Sequence, residues 1–163
     1  MRPITGKALK YGDNVDTDTI IPSKFLVLRN PEEFGAHAME GLDKQFPQKV
    51  KSCGILVAGK NFGCGSSREQ APLALKYAGV HCIVAESFAR IFYRNAINIG
   101  LPVLECHGAH SETDNGDDLK IILSKGVIIN KTKNKTYQGT RLPRFLLKIL
   151  ESGGLIEYLN KKG

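Results

Sequence analysis

The sequence predicts an α/β protein built on a parallel sheet that continues into antiparallel strands. Three observations carry that expectation. Short apolar segments alternate with helical ones between residues 54 and 104, turn-linked strands follow from about residue 119, and a glycine-rich joint connects one strand to the next helix. Apolar strands alternating with helices imply parallel pairing, because both faces of such a sheet are covered. The chain has 163 residues, 42% hydrophobic and 24% charged. That is an ordinary globular composition, long enough for one domain, residues 1–163, with a sizeable core.

In chain order, residues 4–9 read as an opening strand. It runs into Tyr11-Gly12-Asp13-Asn14-Val15-Asp16-Thr17-Asp18, whose Gly, Asn and Asp content marks a turn. Residues 23–29 show no strong preference, although residues 25–28 taken alone would also suit a short core strand. Residues 30–46 read as one or two short helices, with Pro31 just inside the first turn. A βαβαβ series is predicted next: strand 54–58, helix 67–77, strand 82–85, helix 88–98 and strand 102–104. Strands over 119–123, 127–130 and 136–141 then pair antiparallel, and a last helix over 143–151 ends at Gly153-Gly154.

Composition excludes several function classes. No apolar run approaches the roughly 18 to 20 residues of a membrane span, and the first residues lack the apolar core of a secretion signal, so a cytoplasmic protein is expected. The formal charge of +7 raises the question of nucleic acid. Its Lys and Arg are dispersed from Lys7 to Lys162, and the densest stretch, 131–135, falls in a surface hairpin without an aromatic stacking series. A solvated basic surface is the expectation, part of it serving an anionic small substrate. Cys53, Cys64, Cys82 and Cys106 form no C-x-x-C pair, so no metal site is expected on this chain alone. Asp13, Asp16 and Asp18 lack the glycine and distal glutamate of a calcium loop. His37, His81, His107 and His110 read as surface or loop residues.

Residues 59–69, containing Gly63-Cys64-Gly65-Ser66-Ser67-Arg68-Glu69, carry the chemistry. Ligands of open parallel sheets bind at strand ends, and glycines let them approach the backbone. The spacing is neither G-x-x-x-x-G-K-[ST] nor G-x-G-x-x-G, so a nucleotide is not expected. One reading is structural, a capping box of Ser66 and Glu69. Against it, Arg68 in the first helical turn would oppose the helix macrodipole unless an anion were bound. A guanidinium beside two serine hydroxyls and free N–H groups makes a carboxylate clamp.

Asn61-Phe62-Gly63-Cys64-Gly65-Ser66-Ser67-Arg68-Glu69 resembles the active-site loop of the aconitase family. Gly12-Asp13-Asn14-Val15-Asp16-Thr17-Asp18-Thr19-Ile20 resembles its N-terminal signature, and a third block at residues 85–100 is also similar. The resemblance implies a single swivelling β/β/α domain of the aconitase C-terminal type. The length is similar to that of the two-chain isopropylmalate dehydratases of this family. There the domain is a short subunit, and the [4Fe-4S] cluster belongs to a large subunit. The implied reaction removes water from a 2-hydroxy acid and returns it to the neighbouring carbon through a bound alkene.

By the same resemblance Ser66 is the base that takes the C–H proton, Ser67 and Arg68 bind a substrate carboxylate, and Asp18 orients or relays a proton, or only caps its turn. Phe25, Leu26 and Val27 fall in the segment that forms a mobile substrate loop in related small subunits. Chains of the family that act on homocitrate tend to carry arginine where this one has Val27. A valine there favours an isopropyl group, at about 25 cal/mol per Å² buried, over a third carboxylate. A register shift of two residues would bring Arg29 to the pocket, which keeps homoaconitase-type and dimethylmalate-type substrates as alternatives. Gln70 departs from the histidine common in relatives, and Cys64 has no assigned role beyond packing. Outside the family, the alternatives are a non-catalytic anion-binding module and a basic nucleic-acid-binding protein.

Overall fold

A computed structural model describes residues 1–162. Strand β1 (Ile4–Lys10) leads to α1 (Thr17–Ile20), a 3-10 turn (Ser23–Phe25), α2 (Pro31–Ala36) and α3 (Phe46–Val50). The series β2 (Gly54–Ala58), α4 (Gln70–Ala78), β3 (Cys82–Ala85), α5 (Arg90–Asn98) and β4 (Val103–Glu105) follows. The chain closes with α6 (Ala109–Glu112), β5 (Asp118–Ile122), β6 (Val127–Asn130), β7 (Lys135–Gln138), α7 (Arg144–Ser152) and α8 (Leu155–Lys162).

The seven strands make one sheet in the order β4-β3-β2-β1-β5-β6-β7. β1 is the pivot. Its second half, Lys7 to Lys10, runs parallel to Gly54–Val57 of β2, while its first half pairs antiparallel with β5, Ile4 opposite Ile121. Every residue of β2 and β3 is buried, as two-sided coverage of a parallel sheet requires. In β5 burial alternates, with Leu119 and Ile121 inside and Lys120 partly solvated, the pattern of a sheet with one wet face. The predicted α/β class with its parallel and antiparallel parts is the observed one.

Several boundaries differ, each for a local reason. The helix expected from Ser67 begins at Gln70, and the loop before it turns through positive φ at Asn61, Gly63 and Gly65, a backbone that no helix could extend back into. Ser66 and Glu69 therefore form no capping box. Glu69 occupies the N-cap without a side-chain hydrogen bond, and Arg68 lies in the loop, not in a helical turn. The next helix starts at Arg90, not Phe88, since Phe88 packs against Phe62, ring centroids 6.0 Å apart. Residues 25–28 form no strand. Gly153-Gly154 is a joint rather than an end: Gly153 closes α7 in the left-handed conformation and α8 restarts at Leu155, a helix the sequence reading did not contain.

Candidate active site

Three parallel strands, β1, β2 and β3, release their carboxyl ends on one edge, and the loops that follow are stitched together there. Gly63 N donates to Val15 O (2.8 Å), Thr17 N to Cys64 O (2.9 Å), Phe62 N to Ser87 O (3.0 Å) and Ala89 N to Phe62 O (2.9 Å). Phe62, fully buried, fixes the glycine-rich loop from below by an edge contact with Phe92 at 5.2 Å. Gly63 has φ +83°, and a Cβ there would lie 2.3 Å from the Phe92 ring, so this position has neither the backbone nor the space for another residue.

The three aspartates of the N-terminal signature have separate tasks. Asp13 accepts from Lys60 N at 2.7 Å and ties the two loops together. Asp16 caps α1 by accepting from Thr19 N at 2.7 Å. Asp18 accepts from Arg68 Nη1 at 3.0 Å and from Ser23 N at 3.3 Å, so it both holds the guanidinium and caps the turn beyond Pro22. Arg68 Nη1 also reaches Ile21 O at 3.3 Å. The arginine side chain is 19% exposed and Asp18 67% exposed, so Arg68 is held in place while its partner remains open to exchange.

Ser66 and Ser67 lie exposed on the loop crest. The Ser66 carbonyl accepts from Thr17 Oγ1 at 2.6 Å, which fixes the backbone and leaves the hydroxyl free. Among the described residues, no protein acceptor takes the backbone N–H groups of Gly65, Ser66, Ser67 or Arg68. Four consecutive free donors beside a fixed guanidinium favour an anion, since preorganised donors stabilise charge without moving.

Beside them a cleft of about 220 Å³ is lined by Thr17, Gly63, Gly65, Ser67, Arg68, Ala89, Arg90, Ile91, Phe92 and Asn95. It is smaller than the roughly 300–1,000 Å³ of sites for drug-sized ligands. Of the residues singled out from sequence, Ser67 and Arg68 line it, Ser66 adjoins it and Asp18 reaches it through Arg68. Phe25, Leu26, Val27 and Arg29 do not line it. Phe25 and Leu26 pack on the core and Phe25 stacks on His37 with centroids 3.8 Å apart, whereas Val27 is 82% exposed and Arg29 is exposed.

Thr17, Arg90, Ile91 and Asn95 were not assigned from sequence, although three of them lie in the block at residues 85–100. Arg90 had a signal. It opens α5, where a cation opposes the macrodipole. Among the described residues no group of three or more His, Cys, Asp or Glu side chains is placed to hold a metal. Cys82 and Cys106 are buried, and burial raises both thiols. Among the described residues, no helix is long and apolar enough to cross a membrane.

Comparison with known proteins gives the site its context. Residues 29–108 match the aconitase C-terminal domain. The chain is 55% identical to the isopropylmalate/citramalate isomerase small subunit of Methanocaldococcus jannaschii, covering 98% of this chain and 95% of that one. It is 53% identical to the 3-isopropylmalate dehydratase small subunit of Clostridium botulinum, covering 98% and 99%. A crystal structure of 3-isopropylmalate dehydratase from Methanocaldococcus jannaschii superposes with a TM-score of 0.93 at 48% identity, covering 99% of this chain and 95% of that one. With identities of about half over nearly the whole chain and a shared fold, the chain belongs to the family of 3-isopropylmalate dehydratase small subunits, whose fold is that of the aconitase C-terminal domain.

Proposed function

We propose that this chain is the small subunit of a cytoplasmic hydro-lyase that interconverts 2-isopropylmalate and 3-isopropylmalate by dehydration and rehydration, a step of leucine biosynthesis. It acts together with a large subunit that carries a [4Fe-4S] cluster. The observation that carries the reading is the placement of Ser66, Ser67 and Arg68 on one loop, with free N–H groups and Asp18 behind the guanidinium, in a chain of this family. Its partners are the large subunit and a small dicarboxylate, not nucleic acid or a membrane.

In this reading Ser66, as the alkoxide, takes the C–H proton while the hydroxyl on the neighbouring carbon departs as hydroxide and becomes water with a proton from solvent; rehydration runs these steps in reverse, with the hydroxyl returning to the other carbon. A serine oxygen acts as a base only where its developing charge is stabilised, and the free N–H groups of residues 65–68 with Arg68 supply that field. Ser67 and Arg68 hold a substrate carboxylate; the Arg68–Asp18 pair is the orienting device, with Asp18 exposed enough to yield when the carboxylate arrives. The cluster, held by the partner, supplies a Lewis acid for the departing hydroxyl. Phe25, Leu26 and Val27 contribute the apolar side of the pocket once the partner covers them. The exposure of Val27 leaves it free for an alkyl group, and Arg29 is the residue that would serve a third carboxylate instead.

A second substrate is kept in view because one relative's name includes citramalate, which differs in carrying methyl in place of isopropyl. The test is anaerobic reconstitution with the cognate large subunit and iron, followed by hydration rates on isopropylmaleate, methylmaleate and homoaconitate. Highest kcat/KM on isopropylmaleate supports the reading. Preference for homoaconitate would retain the family and replace the substrate, and equal rates on the first two would make the enzyme an isomerase of both alkylmalates.

A further inference from the structure

We propose that Arg90 is a second substrate-binding arginine, taking the carboxylate that Arg68 does not. The inference rests on the dicarboxylate reading above and names a residue that reading left without a role. The cleft beside the serine loop has two arginines in its wall, Arg68 from the loop after β2 and Arg90 from the start of α5. They are not equivalent. Arg68 is compensated by Asp18 at 3.0 Å. Arg90 has no carboxylate within ion-pair distance among the described residues. Glu105, which shares a neighbouring hollow with it, instead accepts from Phe88 N at 3.3 Å.

The chemistry of the substrate class explains why one compensated cation is insufficient. An alkylmalate carries two carboxylates on adjacent carbons, and both must be neutralised when the cleft is closed to water, because an unpaired buried charge is costly. Arg68 with Ser67 accounts for one. Arg90 supplies the remaining positive charge on this chain's side of the cleft, and Asn95, one turn along the same helix wall, adds an amide. Arginine suits this role because its planar donors match a carboxylate with two parallel hydrogen bonds. Arg94, four residues on, borders the next groove together with Arg90, Tyr93, Ile97, Asn98 and Leu146 but does not line the cleft beside the serine loop, and provides an internal control of the same charge on the same helix.

The experiment uses the reconstituted two-subunit enzyme with Arg90→Gln, Arg90→Lys and Arg94→Gln. Because Arg90 is exposed, Arg90→Gln is expected to fold and melt as the unmodified chain does. Its KM for isopropylmalate is expected to rise about 10- to 100-fold, the effect of losing hydrogen bonds to a charged group. Arg90→Lys should recover part of the loss, and Arg94→Gln should leave KM within about twofold. A merely structural role is separated by two competitive inhibitors, the monoamides of isopropylmalate at either carboxyl. Arg90→Gln should weaken one of them and leave the other unaffected. The proposal is overturned if KM is unchanged in an active complex, if Arg94→Gln has the same effect, if both monoamides respond alike, or if Arg90→Gln weakens only association with the large subunit. An inactive unmodified complex would overturn the functional reading itself.

Discussion

The two halves of the sheet use charge in opposite ways. In the antiparallel half, acids and bases are matched within the chain. Lys133 Nζ meets Asp114 at 2.8 Å and Asp117 at 3.6 Å, and Lys135 meets Glu112 at 3.0 Å. Beneath them Asn130, fully buried, donates to Asp117 Oδ2 at 2.9 Å and accepts from Lys133 N at 3.0 Å. At the carboxyl edge of the parallel half, the serine loop keeps hydroxyls and four N–H groups, and the start of α5 keeps Arg90, without protein partners among the described residues. The first arrangement completes itself, and the second is the one that the proposed ligand would complete. Thus the basic stretch at residues 131–135 is a hairpin tied down by local acids, whereas the smaller positive charge at the serine loop is the one left for the proposed carboxylate.

The sharpest way to break this comparison is Ser66→Ala in the reconstituted enzyme. Ser66 is exposed and only its carbonyl is bonded, so thermal stability should be unchanged while kcat falls roughly 100- to 10,000-fold, the range for loss of a general base. Equal kcat would remove Ser66 from proton transfer. The opposite behaviour is expected of Asn130→Ala, which strips Asp117 of a buried partner. It should cost about 2 to 3 kcal/mol in a urea melt and leave KM of the folded fraction unaltered.

Between these extremes lies Gly63→Ala. The left-handed backbone and the Phe92 ring both oppose a Cβ, so a loss of about 1 to 3 kcal/mol together with reduced kcat is expected. A variant that lost neither would show that the loop tolerates displacement. A smaller effect concerns acid. Burial pushes the Asp117 carboxyl up, but the Asp114 N–H, the Asn130 amide and Lys133 outweigh it and hold the group below the ordinary carboxylate range. A depressed folded-state value contributes stability above the unfolded value of about 3.9, lost as pH falls through the lower folded value. Melting temperature measured from pH 6 down to 2 should therefore fall below about pH 4, and Asn130→Ala should flatten that limb.

Much of this architecture was legible in the residues. The strands over 54–58, 82–85 and 127–130 coincide with those observed, because uninterrupted β-branched and apolar runs bounded by turns have few alternatives. Helix starts were less legible. The helices expected from Ser67 and Phe88 began three and two residues early, and Phe88 is held out of its helix by packing on Phe62. The serine–arginine loop was recognisable as a candidate anion site. Its pairing with Asp18, fifty residues earlier in the chain, required the parallel placement of β1 beside β2. Arg90 was visible as a cation opening a helix, but the wall it forms opposite Arg68 exists only once α5 is docked.

The dual pairing of β1 also constrains how the chain reaches its native state. β1 precedes β2 to β7 in the chain yet lies in the middle of the sheet, with Ile4 waiting for Ile121. The parallel segment can assemble once β4 is available, but one side of β1 then remains an open edge until β5 arrives. Contacts this distant in sequence close slowly, and an unpaired edge invites association with other chains. During translation the parallel half therefore has a sticky interval, and the segment from residue 118 to 138 acts as the cover that ends it.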